Sequence, residues 1–212
     1  LDKTAAKEYQ KRFESAGAKF YLGRKAAETK MDENGKITTV ILDNGEELKS
    51  DLIIVAAGVR SATAGFETEE IIVDRGMKVD EFMQTEIPGI FSAGNVLHVH
   101  DLVDFVSMEA EHLAKCAAEY VEGRTLPACN INVKAGDGVG HTIPQKISGK
   151  NDFQLSMRVN HHYGACRIVV KQDGREVAVK KMKKAIPAEM IQFKVKADNI
   201  NGTGDLEVMV EC

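Results

Sequence analysis

Apolar residues change their period along this chain, and the changes divide it. Near the start they recur in three- and four-residue steps, at Ala6, Tyr9, Phe13 and Ala16. That spacing predicts an amphipathic helix, with Thr4 able to cap it and Gly17 to stop it. Residues 18–22 read as a short strand. Residues 25–32 and 36–43 alternate and flank Asn34-Gly35, a hairpin signal; Asn44-Gly45 turns the chain again into 46–50. Leu52-Ile53-Ile54-Val55-Ala56-Ala57 is apolar without alternation, which predicts a strand covered on both faces, as at the centre of a parallel sheet, with Gly58 ending it. Residues 59–88 are loop-rich, with short strands near 71–73 and 77–79. Another short strand is predicted at 89–93. A helical stripe then runs through Val103, Val106, Ala110, Leu113, Ala117 and Tyr120, with Glu109, Glu111, Lys115 and Glu119 opposite and Gly123 as the stop. Beyond residue 125 the period falls to two. Residues 153–159, 166–171, 176–182, 190–196 and 206–211 read as strands, with Asp173-Gly174 as a hairpin turn. The pattern is thus an α/β segment followed by a small antiparallel β domain.

Composition narrows the function classes. The chain has 212 residues, is 43% hydrophobic and carries a net charge of −4, at a pI of about 5.9. That balance offers no basic face, so nucleic acid is not an expected partner. Lys180, Lys181, Lys183 and Lys184 form the one basic cluster, read as a solvated strand end with an anion or partner site as the alternative. No run of about 18 apolar residues is present, so no membrane span is expected, and no signal peptide is visible. Cys116, Cys129, Cys166 and Cys212 are scattered, without Cys-x-x-Cys, as expected of reduced thiols in a cytoplasmic protein. The chain opens at Leu1 almost directly into a helix, which points to a fragment or a trimmed form.

Chemistry concentrates in residues 84–101. An apolar stretch runs into Ala93-Gly94-Asn95, and a long helix follows. Gly94 lets the backbone approach a bulky ligand. A helix starting near Val103 would direct unpaired N–H groups and a positive dipole end toward an anionic group. A ligand-free strand, turn and buried helix would leave the same pattern. His98 and His100 sit two apart and could share one face with Asp101 or Asp104 as metal partners. Polar packing or a plain loop role competes, and no metal is assigned. His161-His162 with Cys166 reads as a strand-connecting loop. Gly136-x-Gly138-x-Gly140 lacks the following helix of a dinucleotide fingerprint, because Pro144 comes four residues later. No Ser-His-Asp set or paired carboxylates can be argued, so catalytic residues are not assigned.

Two stretches carry a family resemblance. Asn44-Gly45-Glu46-Glu47-Leu48 with residues 51–60 resembles the last strand of the NAD(P) domain in the pyridine nucleotide-disulfide oxidoreductases. Met77-Lys78-Val79-Asp80, Met83-Gln84-Thr85 and residues 87–96 resemble that superfamily's second FAD-binding motif. A closer resemblance, in residues 97–107, Ile143-Pro144-Gln145-Lys146-Ile147 and Pro187-Ala188-Glu189-Met190, is to oxidoreductases found alongside anaerobic glycerol-3-phosphate dehydrogenases. It implies partial FAD- and NAD(P)-binding Rossmann-like domains. Residues 1–62 would come from the NAD(P) domain and 63–124 from the FAD domain, with 125–212 as the C-terminal β domain.

The resemblance also implies FAD and NAD(P) as cofactors, hydride transfer between them in an intact parent, and a possible glycerol-3-phosphate dehydrogenase-type partner subunit. The implied cofactor-binding residues are Gly94, Asn95, Val96, Leu102 and Val103 on the flavin side, and Gly58 and Val59 toward the nicotinamide. Asn95 stands where the family usually has Asp, and loses a charge-assisted bond to the ribityl hydroxyls while gaining donors. No glycine-rich phosphate turn precedes the motif. The expectation is therefore that this chain alone neither retains cofactor nor works as an enzyme; the rival is a docking or scaffold module acting through its β domain.

Overall fold

The computed structural model describes residues 3–58, 61–65, 70–74 and 76–212. The chain divides into two compact units, residues 1–58 and 59–212.

In the first unit α1 (Lys3–Ser15) precedes a three-stranded antiparallel meander of β1 (Ala26–Met31), β2 (Ile37–Leu42) and β3 (Glu47–Lys49). Both Asn-Gly turns form as the sequence predicts. Gly35 and Gly45 take φ of 78° and 84°, and the Asp32 and Asn44 side chains accept backbone N–H bonds across their turns. Two predicted strands do not form. Residues 18–22 are irregular, with Phe20 and Leu22 exposed. Residues 52–57 form no strand and end in a bend; Leu52, Ile54 and Val55 are 74%, 81% and 83% exposed. A double-sided apolar strand needs neighbours on both edges and layers on both faces. Among the described residues of this unit, none provides them.

The second unit is built on a two-sheet sandwich. β4 (Ile131–Ala135), β5 (Val139–Ile143), β6 (Lys146–Ile147), β7 (Phe153–Val159), β8 (Cys166–Gln172), β9 (Arg175–Met182), β10 (Ile191–Val195) and β11 (Leu206–Glu211) form it. One sheet has the order β10-β7-β5 and the other β6-β4-β11-β8-β9. Pairing is antiparallel except for β11 beside β4, where Leu206 faces Val133. Alternate residues Phe153, Leu155, Met157 and Val159 meet Ile168, Val170, Leu206 and Val208 in a shared core. The α/β-then-β architecture read from the sequence holds. The glycine run 136–140 is the β4–β5 turn and the start of β5, whose strand character the sequence reading passed over. Gly138 has φ of 77° there, and a Cβ would lie 2.6 Å from the Tyr163 hydroxyl.

Loops 70–74 and 76–100 pack onto this sandwich, and α2 (Val103–Val121) packs against those loops. Met77, Val79, Met83 and Leu97 form a second small core with Ile143 of β5. Stretches 71–73, 77–79 and 89–93 make isolated bridges, Val73 with Met77 and Gln84 with Phe91, rather than strands. They lie on the sandwich as loops, held by side-chain caps such as Asp80 Oδ1, which accepts from the Phe82 and Gln84 N–H groups.

Candidate functional site

The turn at Gly94–Val96 is a single 3-10 turn, entered from extended Ala93. Gly94 holds φ of 80°, its N–H donates to Glu109 Oε2 at 2.5 Å, and its carbonyl accepts from the Leu97 N–H at 3.0 Å. The turn is fixed from behind: the Met77 N–H bonds the Val96 carbonyl. A Cβ on Gly76 would lie 1.8 Å from the Leu97 carbonyl oxygen, so only glycine allows that approach.

Asn95 is exposed. Its Oδ1 accepts from the His100 backbone N–H and lies 3.2 Å from His100 Nδ1, and its carbonyl accepts from Ser61 Oγ. The amide oxygen is therefore engaged within the chain, and Nδ2 is the end left to meet a ligand. Helix α2 begins with no side-chain cap at Leu102. Leu102 and Val103 are 55% and 80% exposed there. An exposed amide, a glycine turn, an uncapped helix start and exposed apolar side chains fit the ribityl and ring portions of a flavin. No glycine-rich helix start suited to a pyrophosphate appears among the described residues.

Helix α2 is rotated from its predicted face. Val103, Ala110 and Tyr120 are exposed, while Phe105, Glu109 and Cys116 turn inward beside Val106, Leu113 and Ala117. The reason is polar. Glu109 reaches the Gly94 N–H, and His112 Nε2 donates to the Glu81 carbonyl at 2.7 Å. Glu109, placed on the polar face by periodicity, is thus a site residue that sequence reasoning missed. Its two partners were visible: His98 and His100 both lie 3.4 Å from its carboxylate. Burial is the chief influence on His100 and lowers its pKa. His98 Nδ1 lies 3.2 Å from His141 Nε2 on β5.

Asp101 goes elsewhere. Its carboxylate pairs with Arg158 of β7 and accepts from the Met190 N–H. Arg158 also donates to the carbonyls of Val99, Pro187 and Ala188. Nearby, Gln145 Oε1 accepts from the Val79 N–H, and the Gln145 N–H returns a bond to the Val79 carbonyl. The three stretches that carried the closer resemblance, 97–107, 143–147 and 187–190, therefore meet around residues 77–96. A cavity of about 810 Å³ lies beside Gln145, lined by Asp80, Gln84, Cys129, His141, Thr142 and Lys146.

Gly58 has φ of 97° in open space, so its glycine is needed for backbone conformation rather than close approach; Val59 lies outside the described residues. All four cysteines are free. Burial pushes the Cys116 thiol up to about 11 and the Cys129 thiol further still. Neither offers a ready thiolate. His161 and His162 are exposed while Cys166 is buried in the sandwich, so they form no cluster. Lys181, Lys183 and Lys184 are solvated. No described helix is long and apolar enough to cross a membrane.

The model of the family described as pyridine nucleotide-disulphide oxidoreductase matches residues 1–119, and the chain belongs to that family. It is 26% identical over 175 residues to a nitrite reductase [NAD(P)H] of Bacillus subtilis (strain 168), covering 82% of this chain and 21% of that protein. It is 31% identical over 109 residues to monodehydroascorbate reductase 2, peroxisomal, of Oryza sativa subsp. japonica, covering 51% of this chain and 23% of that protein. The chain thus spans under a quarter of the length of either relative. Among solved structures, a ferredoxin reductase from Rhodopseudomonas palustris aligns with a TM-score of 0.45 at 18% identity, over 92% of this chain and 46% of that one.

Proposed function

We propose that the chain is the C-terminal part of an FAD-dependent NAD(P) oxidoreductase and forms one wall of its flavin site. In this reading residues 1–62 belong to the NAD(P) domain, 63–124 to the FAD domain and 125–212 to the appended β domain. The single observation that carries it is the uncapped, apolar start of α2 beside the turn of buried Gly94 and exposed Asn95. When bound, FAD supplies the acceptor for a hydride from the nicotinamide. The protein's part is to bind and orient. Asn95 Nδ2 would hold the ribityl hydroxyls, at a turn whose Gly94 N–H and carbonyls are already bonded within the chain. Leu102 and Val103 cover the ring edge and exclude water, and the N–H groups at the start of α2 favour negative charge. Gly58 and Val59 belong on the nicotinamide side.

The meeting of segments 97–107, 143–147 and 187–190 supports the finer assignment to the branch beside anaerobic glycerol-3-phosphate dehydrogenases. A partner subunit of that kind follows from it; the four free cysteines support a cytoplasmic setting. A separable docking module is the weaker reading, because Ile143, Gln145 and Arg158 of the sandwich are tied to residues 77–101.

The test is titration of the purified chain with FAD, followed by flavin fluorescence. Weak, saturable binding is expected, far from stoichiometric at micromolar concentrations, because pyrophosphate contacts contribute much of dinucleotide affinity. Asn95→Asp, which restores the charge-assisted acceptor, is expected to tighten it about three- to tenfold. Stoichiometric FAD on the isolated chain would contradict its incompetence alone; an affinity unmoved by Asn95→Asp would contradict the role of Asn95.

A further inference from the structure

We infer that His98, His100 and Glu109 form a binding site for a single divalent transition-metal ion, of which zinc is the fitting representative. Their donor atoms all lie within 4.8 Å of one another. The side chains of His98, His100 and Glu109 are 4%, 1% and 10% exposed. A carboxylate accepting from a histidine in a dry setting would draw in to about 2.7–2.9 Å. Here His98 Nε2 to Glu109 Oε1 and His100 Nε2 to Glu109 Oε2 are both 3.4 Å. Ligands held about 2.0–2.2 Å from zinc in a tetrahedron stand roughly 3.3–3.5 Å apart. Both separations are longer than a charge-assisted hydrogen bond and match a coordination edge. His100 Nε2 supplies the independent observation: it is buried and, apart from the long 3.4 Å approach to Glu109 Oε2, meets no partner at hydrogen-bond geometry. Buried polar atoms left so are costly, and a cation would satisfy this one.

The surroundings match a metal site's outer shell. A ligating histidine commonly donates its other N–H to a fixed acceptor, which sets its tautomer and plane. His100 Nδ1 lies 3.2 Å from Asn95 Oδ1, and His98 Nδ1 lies 3.2 Å from His141 Nε2. Glu109 is steadied by the Gly94 N–H. The two imidazole planes stand 70° apart with centroids 4.4 Å distant, so both rings can address one point without stacking. Two imidazoles and a carboxylate suit zinc, and leave a coordination position for water or an anionic ligand. The inference stands on these side chains and is independent of flavin binding.

The experiment is a competition titration of the tag-free full chain, stripped with chelator, using Zn2+ against a chromophoric indicator. One equivalent of Zn2+ is expected to bind at micromolar protein. Co2+ in its place is expected to give the visible bands of a low-coordinate site. His100→Ala and Glu109→Gln should each weaken Zn2+ by more than tenfold with far-UV dichroism unchanged. Asn95→Ala should weaken it less, and the His161→Ala/His162→Ala double variant should leave it unchanged. Absence of stoichiometric Zn2+ on the wild-type chain overturns the inference, and so does undiminished binding in His100→Ala and Glu109→Gln. The wild-type titration decides the matter even if a variant fails to fold.

Discussion

Residues 52–57 and residues 153–159 are both apolar-rich stretches, yet one lies bare and the other forms the middle of a core. Leu155 and Met157 are fully buried because β7 pairs with β5 and β10, and the opposite sheet closes over it. Leu52, Ile54 and Val55 have no such sheet among the described residues and stay exposed. The difference teaches that an apolar run states what a strand needs. Whether the need is met depends on which other strands share the chain. In the flavin-wall reading, the rest of the NAD(P) domain's sheet covers residues 52–57.

The comparison is broken first by truncating the core. Leu155→Ala is expected to destabilise the second unit by ~2–5 kcal/mol, measured by urea unfolding. Leu52→Ser, Ile54→Ser and Val55→Ser are each expected to stay within ~0.5 kcal/mol of wild type in the same assay. Comparable losses at the two places would show that residues 52–57 are packed after all.

Next in size is the tie between the site loops and the sandwich. Arg158→Ala leaves Asp101 without its cation, with the Met190 N–H still bonded to it, and frees three carbonyls, for an expected cost of ~2–3 kcal/mol. Amide exchange should then speed up in residues 97–104 more than in β8 or β11. Gly76→Ala forces a methyl against the Leu97 carbonyl, at an expected ~1–3 kcal/mol. It should also shift the amides of the Gly94–Val96 turn.

The smallest effect is electrostatic. Lys134 beside Asp205, together with the Asn132 N–H and side-chain amide, pulls the Asp205 carboxyl down from 3.8 to about 2. A depressed carboxyl stabilises the fold above its unfolded value and loses that contribution as pH falls toward 2. Asp205→Asn should therefore flatten the stability profile between about pH 4 and 2, with its loss fully present at neutrality and vanishing toward pH 2, as read by thermal melts.

Much of the fold was legible because its pattern answers itself. The strands from 153 to 211 alternate, and the partners that their alternation calls for are in the same chain. Helix α2 was legible as a helix but not in its facing, because Glu109 is held inward by one backbone N–H while Val103 is left outside. Periodicity ranks a glutamate as outward and a valine as inward, and has no means to see the turn at Gly94. His98 and His100 were visible as a pair. Their partners were not, because Glu109 is nine residues beyond His100 on the helix and His141 comes from strand β5. Asp101, the nearer acid, was the natural guess, and Arg158 claims it.

The flavin wall is tested most directly by mapping backbone amide shifts of the 15N-labelled chain during FAD addition. The expected result is a concerted, saturable shift at residues 94–96 and 102–104, with Leu155 and Ile168 in the sandwich core unmoved. An unperturbed Gly94–Val96 turn at millimolar FAD, or shifts centred on the sandwich core, would contradict it.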